Sequence, residues 1–257
     1  MKTVLLIIDP QNDFCENTGT LYVPGAVGDI TRLVNFINKN ADKIDYIHFT
    51  TDDHQPNDIS HANFWIDKDG NHPNPFTIIK ADDVKNGVWK PVNYDVDKAY
   101  NYINQLEIKG KYAHIIWPTH CIAGSHGADI CEPLMNAVLD WTKNGKYYGI
   151  TRKGTYPYSE HFGAFMAEIP DANIPETQFN QQLADMLNSF DKVYIAGEAK
   201  SHCVANTISQ LFDTMPQLVK KLVILEDAMS PVAGFEHTAD AVYQKAVELG
   251  AKIETCC

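Results

Sequence analysis

The chain has little positive charge and no long apolar run, the features that mark nucleic-acid-binding and membrane proteins. Positive charge is scarce: 21 Lys and Arg stand against 33 Asp and Glu, giving a formal net charge of −12 over 257 residues. A polyanionic partner such as nucleic acid is therefore not expected. No apolar run approaches the roughly 20 residues that a helix needs to cross a membrane. The apolar residues 4–8 are too few for a signal peptide, so we expect no membrane partner.

Paired cysteine motifs are also missing. The six cysteines are Cys15, Cys121, Cys131, Cys203, Cys256 and Cys257. Their spacing matches neither a zinc finger nor a small disulfide framework, so we expect free thiols in a reducing cytoplasm and interpret the last two as a tail. No Gly-x-Gly-x-x-Gly follows the first apolar segment, which argues against dinucleotide binding.

Short apolar segments alternate with amphipathic helical ones along a chain that has no repeat and no clear linker. Strands are predicted at residues 4–8, 44–50, 146–151, 193–197, 222–225 and 252–254, and helices near 30–37, 176–189, 202–212 and 239–249. This alternation predicts one α/β domain over residues 1–257, with helices on both faces of a mostly parallel sheet. Residues 64–116 interrupt it. We interpret them as an insertion, with a hairpin-like stretch at 76–92 and then a helix, that serves as a lid or an oligomer contact.

Three chemically active side chains follow predicted strands, which is where ligands bind in such sheets. They are Asp9, Asp52 and Cys203. Cys203 stands where a helix begins, and free N–H groups there favour a thiolate and can later hold an oxyanion. Asp9 can accept a thiol proton, although taken alone it is better explained as a turn-forming Asp that caps a helix or loop.

A metal site is indicated by Asp52 and His54. In an extended segment these side chains point the same way, and the pair suits a divalent metal that needs at least a third ligand. Asp58, His61 and His120 are the candidates, and each histidine taken alone is also explained as a hydrogen-bonded structural residue. Lys153, just past a strand, is either a solvated lysine or an ammonium that stabilises a thiolate and a carboxylate together.

Five motifs occur together in one order. They are Asp9-Pro10-Gln11-Asn12-Asp13-Phe14, Asp52-x-His54, Trp117-Pro118-x-His120-Cys121, Lys153-Gly154 and Gly197-x-Ala199-x-Ser201-His202-Cys203-Val204. This ordered set resembles the isochorismatase-like cysteine hydrolases, and within them the nicotinamidase (pyrazinamidase) branch. The resemblance covers most of the chain outside the insertion. It implies a three-layer α/β/α fold with a Rossmann-like six-stranded sheet.

The resemblance also implies a catalytic triad. Asp9 would be the general base, Lys153 the electrostatic partner and Cys203 the nucleophile of an amidase that forms a thioester. A cis peptide at Glu198–Ala199 would aim the N–H groups of Ala199 and Cys203 at the oxyanion. The implied reaction converts nicotinamide and water to nicotinate and ammonia, as part of NAD salvage.

The same resemblance assigns residues to a metal and to the substrate ring. Asp52, His54 and His120 would hold one divalent ion, and this donor set suits Zn, Fe or Mn. In the family that metal binds the pyridine nitrogen. Phe14 and Trp117 match aromatic positions that sandwich the ring, and ordinary core aromatics are the alternative interpretation.

Three features depart from the nicotinamidase pattern. Glu198 replaces a hydrophobic residue and Lys200 a threonine. If Glu198 faces the cleft, it would disfavour an acidic substrate and accept a hydrogen bond from an amide. The further histidine of many nicotinamidases is matched only by Asp58 or His61, and residues 64–116 are longer than in compact members.

Two alternative functions follow from these departures. The first is a related amidase that acts on a ureido or N-carbamoyl compound, although such relatives generally lack the metal trio. A true isochorismatase does not use the cysteine. The second is a non-catalytic metal-binding or scaffold protein that has kept the fold, against which the intact triad argues.

Overall fold

Six parallel strands form the centre of the computed structural model, which describes residues 1–110 and 112–256. The strands are β1 Thr3–Ile8, β2 Tyr46–Asp52, β5 Tyr148–Lys153, β6 Lys192–Gly197, β7 Leu222–Leu225 and β8 Lys252–Glu254, with β3 Trp65–Ile66 and β4 Lys90–Pro91 in a separate antiparallel pair. The sheet order is β5-β2-β1-β6-β7-β8, and each neighbouring pair is parallel. The predicted three-layer fold is confirmed.

Helices cover both faces of the sheet. They are α1 Asn12–Cys15, α2 Ala26–Lys39, α3 Ala81–Lys85, α4 Val96–Ile108, α5 Glu132–Thr142, α6 Gln181–Asn188, α7 Ala205–Ser209, α8 Leu211–Thr214, α9 Pro216–Val219 and α10 Asp240–Glu248. A π-helical turn, Lys200–Val204, precedes α7. The helix predicted at 202–212 is therefore divided into this turn, α7 and α8. No helix in the described ranges is both long and apolar enough to cross a membrane.

Strand β1 explains why a parallel sheet forms here. All six of its residues are buried, because both faces of the strand are covered by helices. Val4, Leu6 and Ile8 pack into the core that includes α6 to α10. Leu5 and Ile7 face the core that includes α2 and α5. Side chains alternate between the two faces of a strand, so one continuous apolar run supports both cores.

The insertion has its own hydrophobic cluster. Ile59, Trp65, Val84, Ile103 and Ile116 are buried members of this cluster. The helix predicted after the hairpin-like stretch is α4. The predicted hairpin at 76–92 is wrong, because the short helix α3 lies inside it and β4 pairs with β3 instead.

The terminal tail is also different from the prediction. Cys256 is only 7% exposed, and its N–H donates to the Asp227 carboxylate at 2.8 Å. Cys257 lies outside the described residues.

Candidate active site

Four side chains of the candidate site meet because their strands are neighbours in the sheet. Asp9 follows β1, Asp52 ends β2, Lys153 ends β5, and Cys203 lies in the turn after β6. Asp52 and Lys153 are register partners in the β2–β5 pair. The carboxyl ends of parallel strands meet at one edge of the sheet. Asp9 and Cys203 therefore come into contact although they lie 194 positions apart in sequence.

Gly197 shapes the turn that carries the cysteine. Its φ is +116°, and a Cβ there would lie 2.1 Å from the Ile8 carbonyl oxygen, so only glycine fits. The Glu198–Ala199 peptide that follows is cis, as the resemblance implies.

Lys153 is the centre of the cluster. Its Nζ lies 2.8 Å from Asp9 Oδ2, 2.5 Å from Asp52 Oδ1 and 3.8 Å from Cys203 Sγ. It also donates to the His161 carbonyl at 2.9 Å. The lysine is 2% exposed, so this is a buried ammonium compensated by two carboxylates, and not a solvated residue at a strand end.

The protonation states suit a thiol beside a base. Burial raises the pKa of the Cys203 thiol well above its usual value, Lys153 opposes this, and the Asp9 and Asp52 carboxylates add to it. Burial therefore works against the thiolate that the free N–H groups of the turn favour. Burial also raises the pKa of Asp9, to about 6, against the opposing charge of Lys153. Near pH 7 Asp9 is a carboxylate that can take the thiol proton.

Asp52, His54 and His120 form a buried cluster with converging ligand atoms. One ligand atom from each lies within 4.8 Å of the others. His54 Nδ1 donates to Asp58 Oδ2 at 2.8 Å, which leaves its Nε2 toward Asp52 Oδ2, 3.8 Å away. Burial lowers the pKa of His54, but Asp52 and Asp58 outweigh it and raise that pKa to about 10. This site therefore favours a cation, and its two nitrogens and one carboxylate fit a divalent metal.

The two other ligand candidates, Asp58 and His61, contact ring nitrogens of His54 and His120. Asp58 holds the far nitrogen of His54, as described above. His61 Nε2 lies 3.2 Å from His120 Nδ1, which also lies 2.8 Å from the Pro118 carbonyl oxygen. Partners of this kind fix the orientation of ligand imidazoles.

A cavity opens beside the cysteine and the metal cluster. Its empty volume, open mouth included, is about 390 Å³. Its lining is Phe14, Leu21, Asp52, Trp117, His120, Glu160, Phe162, Ala199, His202, Cys203 and Val232. The structure thus brings the two sequence-predicted aromatics and Ala199 to the same cavity as Cys203.

Glu198 is not brought to this cavity. It is fully buried on the other side of the turn, where its Oε2 accepts from the Ser230 N–H at 3.3 Å. Burial, together with the charge of Asp29 and a hydrogen bond to it, raises the pKa of Glu198 well above its usual value. The side chain lies against α2, so its contact with a substrate amide is not supported.

Sequence reasoning missed two polar residues of the lining. Glu160 is 6% exposed, and burial raises its pKa to about 7. Its Oε1 has no hydrogen-bond partner in the described part of the chain. His202 lies directly before Cys203 in sequence. No motif marks Glu160, whereas adjacency to Cys203 was an available signal for His202.

The fold is shared with known hydrolases. Its fold is that of the isochorismatase-like hydrolases, and the predicted resemblance to the nicotinamidase branch is confirmed. No protein-family model matches the chain. The chain is 26% identical over 234 residues to a nicotinamidase of Saccharomyces cerevisiae, a match that covers 91% of this chain and 89% of that protein.

Two solved structures show the same fold. The crystal structure of the yeast nicotinamidase bound to the inhibitor nicotinaldehyde has a TM-score of 0.67 and 20% identity, over 98% of this chain and 99% of that chain. The pyrazinamidase of Pyrococcus horikoshii in complex with zinc has a TM-score of 0.56 and 20% identity, over 99% of both chains.

Proposed function

We propose that this protein is a metal-containing cysteine amidohydrolase that converts nicotinamide and water to nicotinate and ammonia. The observation that carries the proposal is the contact of Lys153 with both Asp9 and Cys203 at the wall of an aromatic-lined cavity. The 26% identity to a nicotinamidase supports the choice of substrate.

Each proton in the proposed reaction has a defined position. Asp9 takes the proton of the Cys203 thiol as sulfur attacks the amide carbon, and the Ala199 and Cys203 N–H groups hold the oxyanion. Asp9 then gives that proton to the leaving nitrogen, and ammonia departs from a thioester. A water that loses a proton to Asp9 attacks the thioester, and the proton returns to the sulfur as nicotinate forms. Lys153 stabilises the thiolate at both stages.

The cavity walls orient the ring. Asp52, His54 and His120 would hold one divalent ion, Zn, Fe or Mn, which when bound supplies a Lewis acid for the pyridine nitrogen. Phe14 and Trp117 supply flat apolar surface on which the ring stacks. The metal cluster supports nicotinamide over an N-carbamoyl substrate, because the relatives that act on such compounds generally lack it.

The test is ammonia release from nicotinamide by purified, metal-replete protein. We expect release by the wild type and by a Cys256→Ala variant, which removes a buried thiol outside the cavity lining, and none by folded Cys203→Ala. Turnover by folded Cys203→Ala would refute the nucleophile. Release from an N-carbamoyl amino acid but not from nicotinamide would favour the alternative amidase, and tight metal binding without any turnover would favour a scaffold.

We further propose a cytoplasmic protein with a small amide as its ligand and neither nucleic acid nor a membrane as a partner. The net charge of −12 and the five free cysteines of the described chain support this. Homo-oligomerisation stays a prediction, and so does the role of residues 64–116 as a lid or an oligomer contact. Size-exclusion chromatography of the wild type and of a variant in which the exposed Phe76 is replaced would test the contact role.

A further inference from the structure

The backbone N–H of Ala199 donates to no acceptor in the described part of the chain, whereas the N–H groups on either side of it do. The Glu198 N–H donates to the Ile8 carbonyl at 2.8 Å. The Lys200 N–H donates to the Ser230 carbonyl, also at 2.8 Å. Ala199 lines the cavity, and its N–H is one of the two groups that hold the oxyanion in the proposed reaction. What fixes the position of Ala199 therefore bears on catalysis.

Ser230 binds the residues on both sides of Ala199. Its carbonyl oxygen accepts from Lys200, as described above, and its own N–H donates to Glu198 Oε2 at 3.3 Å. Ser230 also lies close to the start of α2, because a Cβ on Gly25 would come within 2.4 Å of Ser230 Oγ. Two hydrogen bonds thus hold Ala199 from its two neighbours, and one of them comes from the Glu198 side chain.

The Glu198 carboxyl is itself held by helix α2. It is fully buried and hydrogen-bonded to the carboxyl of Asp29, which is 2% exposed. A hydrogen bond between two carboxyl groups needs one proton, and the raised pKa of Glu198 places the proton on this residue. Arg32 donates to Asp29 Oδ1 at 2.6 Å and also to the Asp227 carbonyl. Side chains of α2 therefore hold both Glu198 and the segment 227–230 that binds the turn.

We propose that Glu198 is a positioning residue for the hydrolysis, which holds the Ala199 N–H at the oxyanion through its hydrogen bonds to Ser230 and Asp29. This inference rests on the proposed function. Glu198 lies outside the cavity lining and acts only through its neighbour. The oxyanion forms after the substrate has bound, so a displaced Ala199 should lower kcat and leave binding of the ring unchanged.

The first experiment measures kcat and KM for nicotinamide in Glu198→Leu and Glu198→Gln. Leucine removes the acceptor for the Ser230 N–H and the partner of Asp29, so we expect kcat to fall about tenfold, the effect of one lost hydrogen bond, with KM changed less than about twofold. Glutamine should rescue kcat, because its oxygen accepts from Ser230 and its amide donates to Asp29.

A second measurement separates the oxyanion site from the ring site. Nicotinaldehyde reacts with the Cys203 thiol: sulfur bonds to the carbonyl carbon, the thiol proton passes to the carbonyl oxygen, and that oxygen occupies the oxyanion position. The matched ligand is 3-methylpyridine, which has the same ring and no carbonyl. In Glu198→Leu the inhibition constant of the aldehyde should rise about tenfold, and that of 3-methylpyridine should stay at the wild-type value.

Binding of 3-methylpyridine also reports that the cavity of Glu198→Leu is intact. If this variant fails to fold, Asp29→Asn and Asp29→Leu give the same comparison, because asparagine donates to Glu198 and should retain kcat whereas leucine should lose it.

Wild-type kcat in folded Glu198→Leu overturns the inference, and so does equal kcat in the two Asp29 variants. An equal loss of affinity for the aldehyde and for 3-methylpyridine overturns it as well, since that result marks a purely structural role. Wild type that releases no ammonia from nicotinamide overturns the proposed function, and this result is distinct from wild-type kcat in a variant.

Discussion

Replacing Glu198 by glutamine should change how the stability of the protein depends on pH. Among the described residues, no N–H group donates to Glu198 Oε1 or to Asp29 Oδ2, which are both buried, whereas Arg32 donates to Asp29 Oδ1 at 2.6 Å. Two such carboxyls side by side are stable when one proton lies between them. The raised pKa of Glu198 places that proton on this residue in the folded state.

The sign of the effect follows from proton linkage. An unfolded glutamate loses its proton near pH 4.5, whereas folded Glu198 keeps it to a higher pH. Between these two values the folded state binds more protons than the unfolded state. The contribution of Glu198 to the free energy of unfolding is therefore fully present below pH 4.5 and falls as the pH rises toward the folded pKa.

The slope for one proton is about 1.4 kcal/mol per pH unit. From pH 5.5 to 7.5 the wild type should thus lose up to about 2.7 kcal/mol from this residue, and Glu198→Gln should lose none of it. Glutamine fits because its oxygen accepts from the Ser230 N–H while its amide donates to Asp29.

The assay is urea unfolding, followed by tryptophan fluorescence, of both proteins at pH 5.5, 6.5 and 7.5. For each protein the slope of the free energy of unfolding against pH is determined, and the two slopes are subtracted. Titration of other groups contributes equally to both slopes and cancels in the difference. Glu198→Leu is the control: it leaves the Ser230 N–H and Asp29 Oδ2 without partners and should destabilise the protein at every pH by about 1–3 kcal/mol. Parallel slopes for wild type and Glu198→Gln would show that Glu198 is ionised in the folded protein and would refute the reasoning.

Three other changes test the site. Lys153→Met leaves two buried carboxylates uncompensated, so the free energy of unfolding should fall by about 3–5 kcal/mol and ammonia release should stop; unchanged stability in urea would contradict the buried ion pairs. Asp58→Asn removes the carboxylate behind His54 and should weaken metal affinity about 10- to 100-fold in chelator competition, and equal affinity would contradict an orienting role. Glu160→Gln should lower kcat/KM for nicotinamide about tenfold above pH 7, where Glu160 is a carboxylate and accepts stronger hydrogen bonds than an amide does; wild-type kinetics there would remove Glu160 from the site.

Much of the fold was predictable because its signals are local. A fully buried parallel strand must be apolar throughout, and β1 shows this in sequence. The insertion was harder to predict. Residues 76–92 carry the punctuation of a hairpin, but contacts with α4 and β3 decide that they form α3 and β4. Such contacts join residues that lie apart in the chain, so local pattern does not report them.

The residue types of the candidate site are visible in the sequence: a cysteine, an aspartate and a lysine at strand ends, and an aspartate with two histidines that could hold a metal. How these groups act on one another depends on the folded chain. Burial and the neighbouring carboxylates raise the pKa of the Cys203 thiol, which no local pattern reports. The fold places Glu198 outside the cavity, and it places Glu160 and His202 in the cavity lining. The reason is physical: composition fixes which protons are available, but the pKa and direction of each group depend on desolvation and on neighbours that only the folded chain brings together.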